Sequence, residues 1–179
     1  MNPWHDFPVG PHPPERITAV IEIPRGSRNK YELDKVSGQF RLDRVLFSAV
    51  HYPGDYGFIP RTLHEDHDPL DIIVSINEPT FPGCQIDCRP LGVLKMLDRG
   101  EPDDKIIAVP SNDPFYNEYF DIADLSQHYL KEVEHFFHIY KDLEGRRVEI
   151  VGWEKSDVAM QVIQDSIVRY EEKYLRLGP

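Results

Sequence analysis

ITAVIEI, residues 17–23, begins the β-rich part of the sequence. β-Branched residues dominate this run, and it stops at a proline, so it favours a short strand. RGSRN (25–29) then supplies turn residues, and KYELD (30–34) follows with an alternation that places Lys30 and Glu32 on one face. The two runs predict a hairpin or meander of strands.

Further β-rich runs lie outward along the chain, separated by proline, glycine and aspartate. They are QFRLDRVLFSAV (39–50), LDIIVSI (70–76), PLGVLKMLD (90–98), DKIIAVP (104–110) and RRVEIVGW (146–153). Their spacing is typical of a small barrel or a sandwich. The first 110 residues are therefore predicted to be mainly β.

Two helices are predicted in the second half of the chain. In residues 125–140, apolar side chains recur at steps of three and four, which is the pattern of a helix packed on a core. A second apolar stripe predicts a helix over residues 157–175, with Ser156 or Asp157 as its N-cap. Both helices are expected to pack outside the β structure, which makes the fold class α+β.

The chain is expected to form one domain over residues 1–179, because no linker, repeat or low-complexity tract interrupts it. Residues 1–16 contain five prolines and are predicted to be an extended arm. The barrel and first helix are assigned to residues 17–153, and the C-terminal helix to 155–175.

Charge and composition exclude several classes of protein. The chain has 20 basic and 31 acidic residues, a formal charge of −11, which argues against binding along nucleic acid. It has neither a secretory signal pattern nor an apolar run long enough for a membrane span, so a soluble cytoplasmic protein is expected. The two cysteines, Cys84 and Cys88, fit reduced thiols better than a disulfide framework in a chain of this size. A zinc site is disfavoured because no second cysteine pair follows.

An acidic cluster lies in HEDHDPLDI (64–72), where Asp66, Asp68 and Asp71 fall within six residues. Two unit charges 4 Å apart repel by about 4 kcal/mol at an effective dielectric of 20, so a partly buried cluster needs counter-charge. Hard divalent cations with oxygen ligands provide it. A solvated acidic turn is the alternative, whereas the EF-hand spacing is not met.

Other motifs accompany this cluster in a fixed order. They are IEIP (21–24), KYELD (30–34), DR (43–44), YPGDYGFIP (52–60), VLKMLD (93–98), DDK (103–105) and HFFHIYKDLEG (135–145). Together they resemble the family I soluble inorganic pyrophosphatases, and the resemblance covers about Glu22 to Gly152. It implies a five-stranded, OB-like closed barrel and hydrolysis of pyrophosphate to two orthophosphates by metal-activated water, without a covalent intermediate. The compact bacterial type that the chain resembles implies a homo-oligomer, with a hexamer favoured over a dimer or trimer.

Residue by residue, the resemblance implies three sets of site residues. The metal ligands are Asp66, Asp71 and Asp103, joined by Asp98 when further ions bind. The groups that bind the phosphoryl oxygens are Lys30, Arg44, Tyr56, Lys105, Tyr140 and Lys141. The catalytic set is Asp68, which holds or deprotonates the attacking water, with Glu22, Glu32, Tyr56 and Lys105, and Tyr52 supports it.

Two positions depart from the family pattern, and neither is a predicted ligand. His67 stands where glycine or another small or polar residue is usual, and Arg99 stands where some relatives carry a second acid. Seven candidate acids and four candidate bases leave the predicted site with a net charge of −3. Bound pyrophosphate would then need about three or four divalent ions for near neutrality, Mg²⁺ preferred and Mn²⁺ or Zn²⁺ as substitutes.

Two other functions stay open at this stage. A related metal-dependent phosphoanhydride hydrolase would use the same acidic cluster. A non-catalytic OB-fold binding module would share the barrel but needs a basic groove with stacking aromatic residues. The pairs His64 with His67 and His135 with His138 are interpreted as surface or packing residues, because no third histidine has ligand spacing with either pair.

Overall fold

The computed structural model of the protein describes residues 1–175. Its strands are β1 (Ile17–Ile23), β2 (Asn29–Leu33), β3 (Phe40–Val45), β4 (Asp55–Phe58), β5 (Asp71–Val74), β6 (Gln85–Asp98), β7 (Glu101–Pro102), β8 (Lys105–Pro110) and β9 (Val148–Lys155). Its α-helices are α1 (Pro3–Asp6), α2 (Gln127–Ile139) and α3 (Ser156–Tyr174). Short 3₁₀ turns lie at Pro114–Tyr116, Ile122–Asp124 and Asp142–Glu144.

Five strands close into a ring, which confirms the predicted barrel. β1 pairs with β4, β4 with β5, β5 with β8 and β8 with β6, and β6 returns to β1. Among the strand pairs of residues 1–175, only β5–β8 is parallel. β6 is 14 residues long and also pairs with β7 and β9, while β2 and β3 form a separate hairpin.

β4 is a barrel strand that the sequence interpretation did not identify as a β-run. Its sequence DYGF contains a glycine and lies between two prolines, so it lacks the β-branched pattern of the other strands. Gly57 is required by close approach, since an added Cβ would lie 1.9 Å from the Val20 carbonyl oxygen of β1. The tight β1–β4 contact explains why a weak strand former is found in the ring.

The two predicted helices pack against two separate apolar clusters. Leu130, Val133 and Phe137 of α2 join one cluster, and Ala159 and Ile163 of α3 join the other. Side chains along β5 and β8 alternate between the clusters, as the period of a strand requires. Both helices were therefore predicted correctly, with their ends shifted by one or two residues.

The N-terminal segment differs from the extended arm predicted for residues 1–16. Pro3–Asp6 form one helical turn, because the Asn2 side chain accepts from the Trp4 N–H and proline suits the first helical position. Trp4 is 4% exposed, and its indole N–H donates to the Thr62 carbonyl at 2.8 Å. A buried aromatic side chain therefore anchors this segment to the barrel. Within residues 1–175, no helix combines the length and apolar character that crossing a membrane requires.

Candidate active site

A cavity of about 430 Å³ opens between the β2–β3 hairpin and one end of the barrel. Its wall contains most of the residues predicted from the sequence. These are Glu22, Lys30, Glu32, Tyr56, Asp66, Asp68, Asp71, Asp98, Asp103, Lys105, Tyr140 and Lys141. Residues separated by more than one hundred positions in the chain therefore meet at one place.

Lys105 lies at the base of the cavity and is the most buried cation of its wall. The parallel β5–β8 register sets Lys105 opposite Asp71, and its Nζ lies 2.5 Å from Asp71 Oδ2. The same Nζ contacts the Asp103 carboxylate. Burial lowers the pKa of Lys105, but Asp103 and Asp71 outweigh it, so this pKa lies well above its usual value. The ammonium is therefore held charged between two acids.

The two acids beside Lys105 respond in opposite directions. Burial raises the pKa of Asp71, and the nearby ammonium offsets only part of that effect. Burial also acts to raise the pKa of Asp103, but Lys105 and Lys141 bring it below the usual value. Asp103 therefore has the stronger preference for the ionised form.

The loop between β4 and β5 brings two further acids to the wall. The Asp68 N–H donates to Asp66 Oδ1 at 3.1 Å, so the two residues form a local turn. Burial raises the pKa of Asp66 to about 7, and the carboxylates of Asp71, Asp103 and Asp68 add to the rise. The four carboxylates repel one another, so a positive charge bound among them would be stabilised.

His67 in this loop has a backbone φ of 68°, in the left-handed region. Glycine adopts that conformation without strain, which explains why the family pattern favours a small residue at the position. The His67 side chain is exposed. Arg99, the second departure, also has a positive φ, 55°, and lies in the turn between β6 and β7 on the cavity wall.

Lys141 and Asp98 form a further ion pair on the cavity wall. Lys141 follows the end of α2, and its Nζ lies 2.6 Å from Asp98 Oδ2 near the end of β6. Asp98 Oδ1 is buried and finds no hydrogen-bond partner among residues 1–175. An unpartnered buried carboxylate oxygen is costly, so this atom is suited to a cation.

Tyrosines close the inner part of the cavity. Tyr56 and Tyr140 lie on the wall and are 8% and 5% exposed. Burial raises the pKa of both phenols, so they stay protonated donors at neutral pH. Tyr52 is not on the wall: it lies behind Tyr56, with the ring centroids 5.3 Å apart, and packs on Phe136.

Arg44 was predicted to bind the phosphoryl oxygens, but its side chain does not line the cavity. Its guanidinium pairs with Asp43, and its Nε lies 2.7 Å from Glu144 Oε1. Asp43 in turn lies 3.3 Å from Lys30 Nζ, and Lys30 also contacts Glu32. These carboxylates balance the charge of Arg44, although its buried Nε has no well-aligned hydrogen bond within residues 1–175.

Sequence reasoning missed three charged residues of the wall and the polar network behind it. Lys35, Glu101 and Arg146 line the cavity. Lys35 directly follows the KYELD motif, so its position was a signal that could have identified it. Behind the wall, Lys95 Nζ lies 2.6 Å from Oδ2 of the buried Asp104. The Asp104 backbone N–H points to His64 Nε2 at 3.4 Å. These contacts join segments far apart in sequence.

The donor set fits a hard divalent cation in composition. Within residues 1–175, the side chains of aspartate, glutamate, histidine and cysteine form no group of three that could hold one metal ion. Lys105 instead stands between Asp71 and Asp103 and supplies local positive charge. The unpartnered Asp98 oxygen and the raised pKa of Asp66 nevertheless favour a cation in the cavity.

The fold is a closed five-stranded barrel, and the cavity at one end carries many carboxylates and several lysines. These features define a class of small barrel proteins that can bind cations and phosphate-like anions together. The family described as inorganic pyrophosphatase matches residues 19–171. The chain belongs to the inorganic pyrophosphatase family.

Relatives support this assignment along nearly the whole chain. An inorganic pyrophosphatase of Haloferax volcanii is 49% identical over 175 residues, covering 97% of this chain and 99% of the relative. One from Geobacillus stearothermophilus is 54% identical over 157 residues, covering 88% and 95%. The crystal structure of inorganic pyrophosphatase from Thermus thermophilus has a TM-score of 0.92 at 42% identity, covering 96% and 99%.

Proposed function

We propose that this protein hydrolyses inorganic pyrophosphate to two orthophosphates. The observation that carries the proposal is the gathering of Asp66, Asp71, Asp98 and Asp103 with lysines in one cavity. Relatives 49% and 54% identical to this chain are named inorganic pyrophosphatases, which supports the same substrate here. A small, open, highly charged cavity suits a compact polyanion better than a ligand with a large apolar part.

Mg²⁺ is the proposed cofactor, held by Asp66, Asp71 and Asp103, with Asp98 as a further ligand. Carboxylate oxygens are the donors that Mg²⁺ prefers, and about three or four ions with substrate bound would offset the charge of the acids and the anion. When bound, the ions supply Lewis acidity and make a water molecule more acidic. Mn²⁺ and Zn²⁺ are the proposed substitutes.

Lys30, Tyr140 and Lys141 are proposed to bind the phosphoryl oxygens. All three line the cavity, and lysine is a point donor suited to phosphate. Tyr56 and Lys105, which are both buried, are proposed to bind the anion from the inner end of the cavity. Arg44 is proposed to join this set when a bound anion competes with Glu144 and Asp43 for its guanidinium.

Asp68 is proposed to accept the proton of the attacking water. Its side chain is 55% exposed and lies at the mouth of the cavity, where water reaches it. Positive charge from Lys105 and Lys141 then stabilises the charge that develops on the departing phosphate. Attack by water leaves no covalent intermediate on the protein, and Glu22 and Glu32 hold the surrounding cations and water in place.

The test is phosphate release by the purified protein from pyrophosphate, with Mg²⁺ or with a chelator. ATP and a nucleoside monophosphate serve as competing substrates. Fast, Mg²⁺-dependent release from pyrophosphate alone is expected. Equal release from ATP would instead favour a general phosphoanhydride hydrolase, and no release with any divalent metal would contradict the proposal and favour a binding module.

A cytoplasmic homo-oligomer, with a hexamer favoured, is proposed as the working state. Exposed apolar side chains such as Phe81, Phe115 and Phe120 support association, because they are 65%, 77% and 62% exposed in the single chain. Light scattering on the purified protein measures its mass directly. A monomer at micromolar concentration would contradict the oligomer, and a dimer or trimer would replace the hexamer.

A further inference from the structure

Lys35 is a wall residue of the cavity for which neither the sequence motifs nor the family resemblance supplies a role. It lies in the turn between β2 and β3, and its Nζ contacts Asp68 Oδ1. We propose that Lys35 is a positioning residue that fixes the Asp68 carboxylate for proton acceptance. The inference rests on the function proposed above and deepens it.

The turn that carries Lys35 has a defined structure of its own. Asp34 Oδ1 accepts from the backbone N–H groups of Val36 at 3.0 Å and Ser37 at 2.9 Å. Gly38 has a φ of 70°, and its N–H donates to the Asp34 carbonyl at 2.8 Å. Hydrogen bonds of the turn therefore fix the backbone around Lys35, so that only the side chain of Lys35 has conformational freedom left to lose.

The N-terminal segment fixes the turn against the barrel. Asn2 Nδ2 donates to the Lys35 carbonyl at 2.8 Å, and the Lys35 ammonium lies 5.8 Å from the centre of the Trp4 ring. Gly38 lies so close that an added Cβ would be 2.4 Å from the Met1 carbonyl oxygen. A buried tryptophan and two backbone contacts thus direct Lys35 towards the cavity.

The Lys35–Asp68 contact has more to contribute to chemistry than to folding. The side chains of Lys35 and Asp68 are 44% and 55% exposed, and exposed ion pairs contribute little to stability. The backbone of the Asp68 loop has its own hydrogen bonds, so the ammonium acts on the orientation of the carboxylate. When a proton acceptor is displaced by a fraction of an ångström, kcat falls because the acceptor is no longer aligned with the reacting water.

The first test compares Lys35→Met, which removes the charge, with Lys35→Arg, which keeps it. Lys35→Met is expected to lower kcat about tenfold with KM changed less than about twofold, and Lys35→Arg to recover most of kcat. Arg41→Met is the matched control, because Arg41 pairs with Asp34 in the same hairpin and is not on the cavity wall. Its kcat is expected to equal that of the unmodified protein.

The second test is a double-mutant cycle with Asp68→Asn. If Lys35 acts through Asp68, adding Lys35→Met to Asp68→Asn changes kcat no further. Additive losses, a rise in KM alone, unchanged kcat in Lys35→Met, or an equal loss in Arg41→Met would each overturn the inference. An unmodified protein that releases no phosphate would remove the proposed function and this inference together, whereas an active one with an unaffected Lys35→Met removes only the inference.

Discussion

Lys105 Nζ lies 2.5 Å from Asp71 Oδ2, and the lysine side chain is only 2% exposed. The two residues face each other because β5 and β8 are the one parallel pair of the ring, with Asp71 in register with Lys105. The contact places a permanent positive charge among the acids proposed to bind metal. The ammonium offsets part of the repulsion among these carboxylates within the fold.

Replacing Lys105 with methionine is expected to destabilise the metal-free protein by about 3 kcal/mol, because it leaves two buried acids without their partner. Added Mg²⁺ is expected to recover more stability in this variant than in the unmodified protein. Urea unfolding with chelator and with Mg²⁺ measures both effects. Lys173→Met, on the exposed part of α3, is the matched variant and is expected to unfold like the unmodified protein.

Asp68→Asn is expected to lower kcat by about 10²- to 10⁴-fold, because the amide cannot accept the proton of water. The melting temperature should stay unchanged, since the side chain is largely exposed. Glu65→Gln is the control: this neighbouring acid is 53% exposed and pairs with Arg169 away from the cavity. Normal kcat in Asp68→Asn would remove Asp68 from the mechanism.

Glu22 is expected to make the stability of the metal-free protein depend on pH. Burial raises the pKa of Glu22 from 4.5 to about 8, although the Leu33 N–H, donating to Oε1 at 2.7 Å, acts to lower it. A carboxyl group that holds its proton more tightly in the folded state stabilises that state. The contribution to the unfolding free energy is complete below pH 4.5 and is lost as the pH rises to about 8.

Glu22→Gln keeps an acceptor for the Leu33 N–H and removes the titration. The variant is expected to lose less unfolding free energy between pH 5 and pH 8 than the unmodified protein, and to be the more stable of the two at pH 8. Urea unfolding with chelator across this range tests the expectation. Parallel pH profiles for the two proteins would show that Glu22 keeps its ordinary pKa.

The two thiols are expected to react at very different rates. Cys88 is fully buried, and burial raises the pKa of its thiol, so little thiolate forms. Cys84 is partly exposed. A chromogenic disulfide reagent should therefore titrate one thiol quickly in the native protein and two in denaturant, and Cys84→Ser should abolish the fast phase. Two fast thiols in the native protein would refute this.

The sequence identified the elements whose signals are local. The β-branched run of β1 and the apolar stripe of α2 predicted a strand and a helix, because each pattern depends on neighbouring residues alone. β4 was missed, since Gly57 is there to fit against Val20 rather than to favour a strand. The segment Pro3–Asp6 was predicted as extended because its prolines discourage regular structure, whereas the burial of Trp4 that anchors the segment depends on contacts with the barrel.

The sequence alone determined the acidic motif around Asp66, the family resemblance and the expectation of a barrel. Three contacts became visible only in the folded chain: Lys105 with Asp71 and Asp103, Arg44 with Glu144, and Lys35 with Asp68. The reason is physical: motif spacing is fixed by covalent bonds within a segment. The partner of a charge is fixed by strand register and by the turns that bring distant segments together.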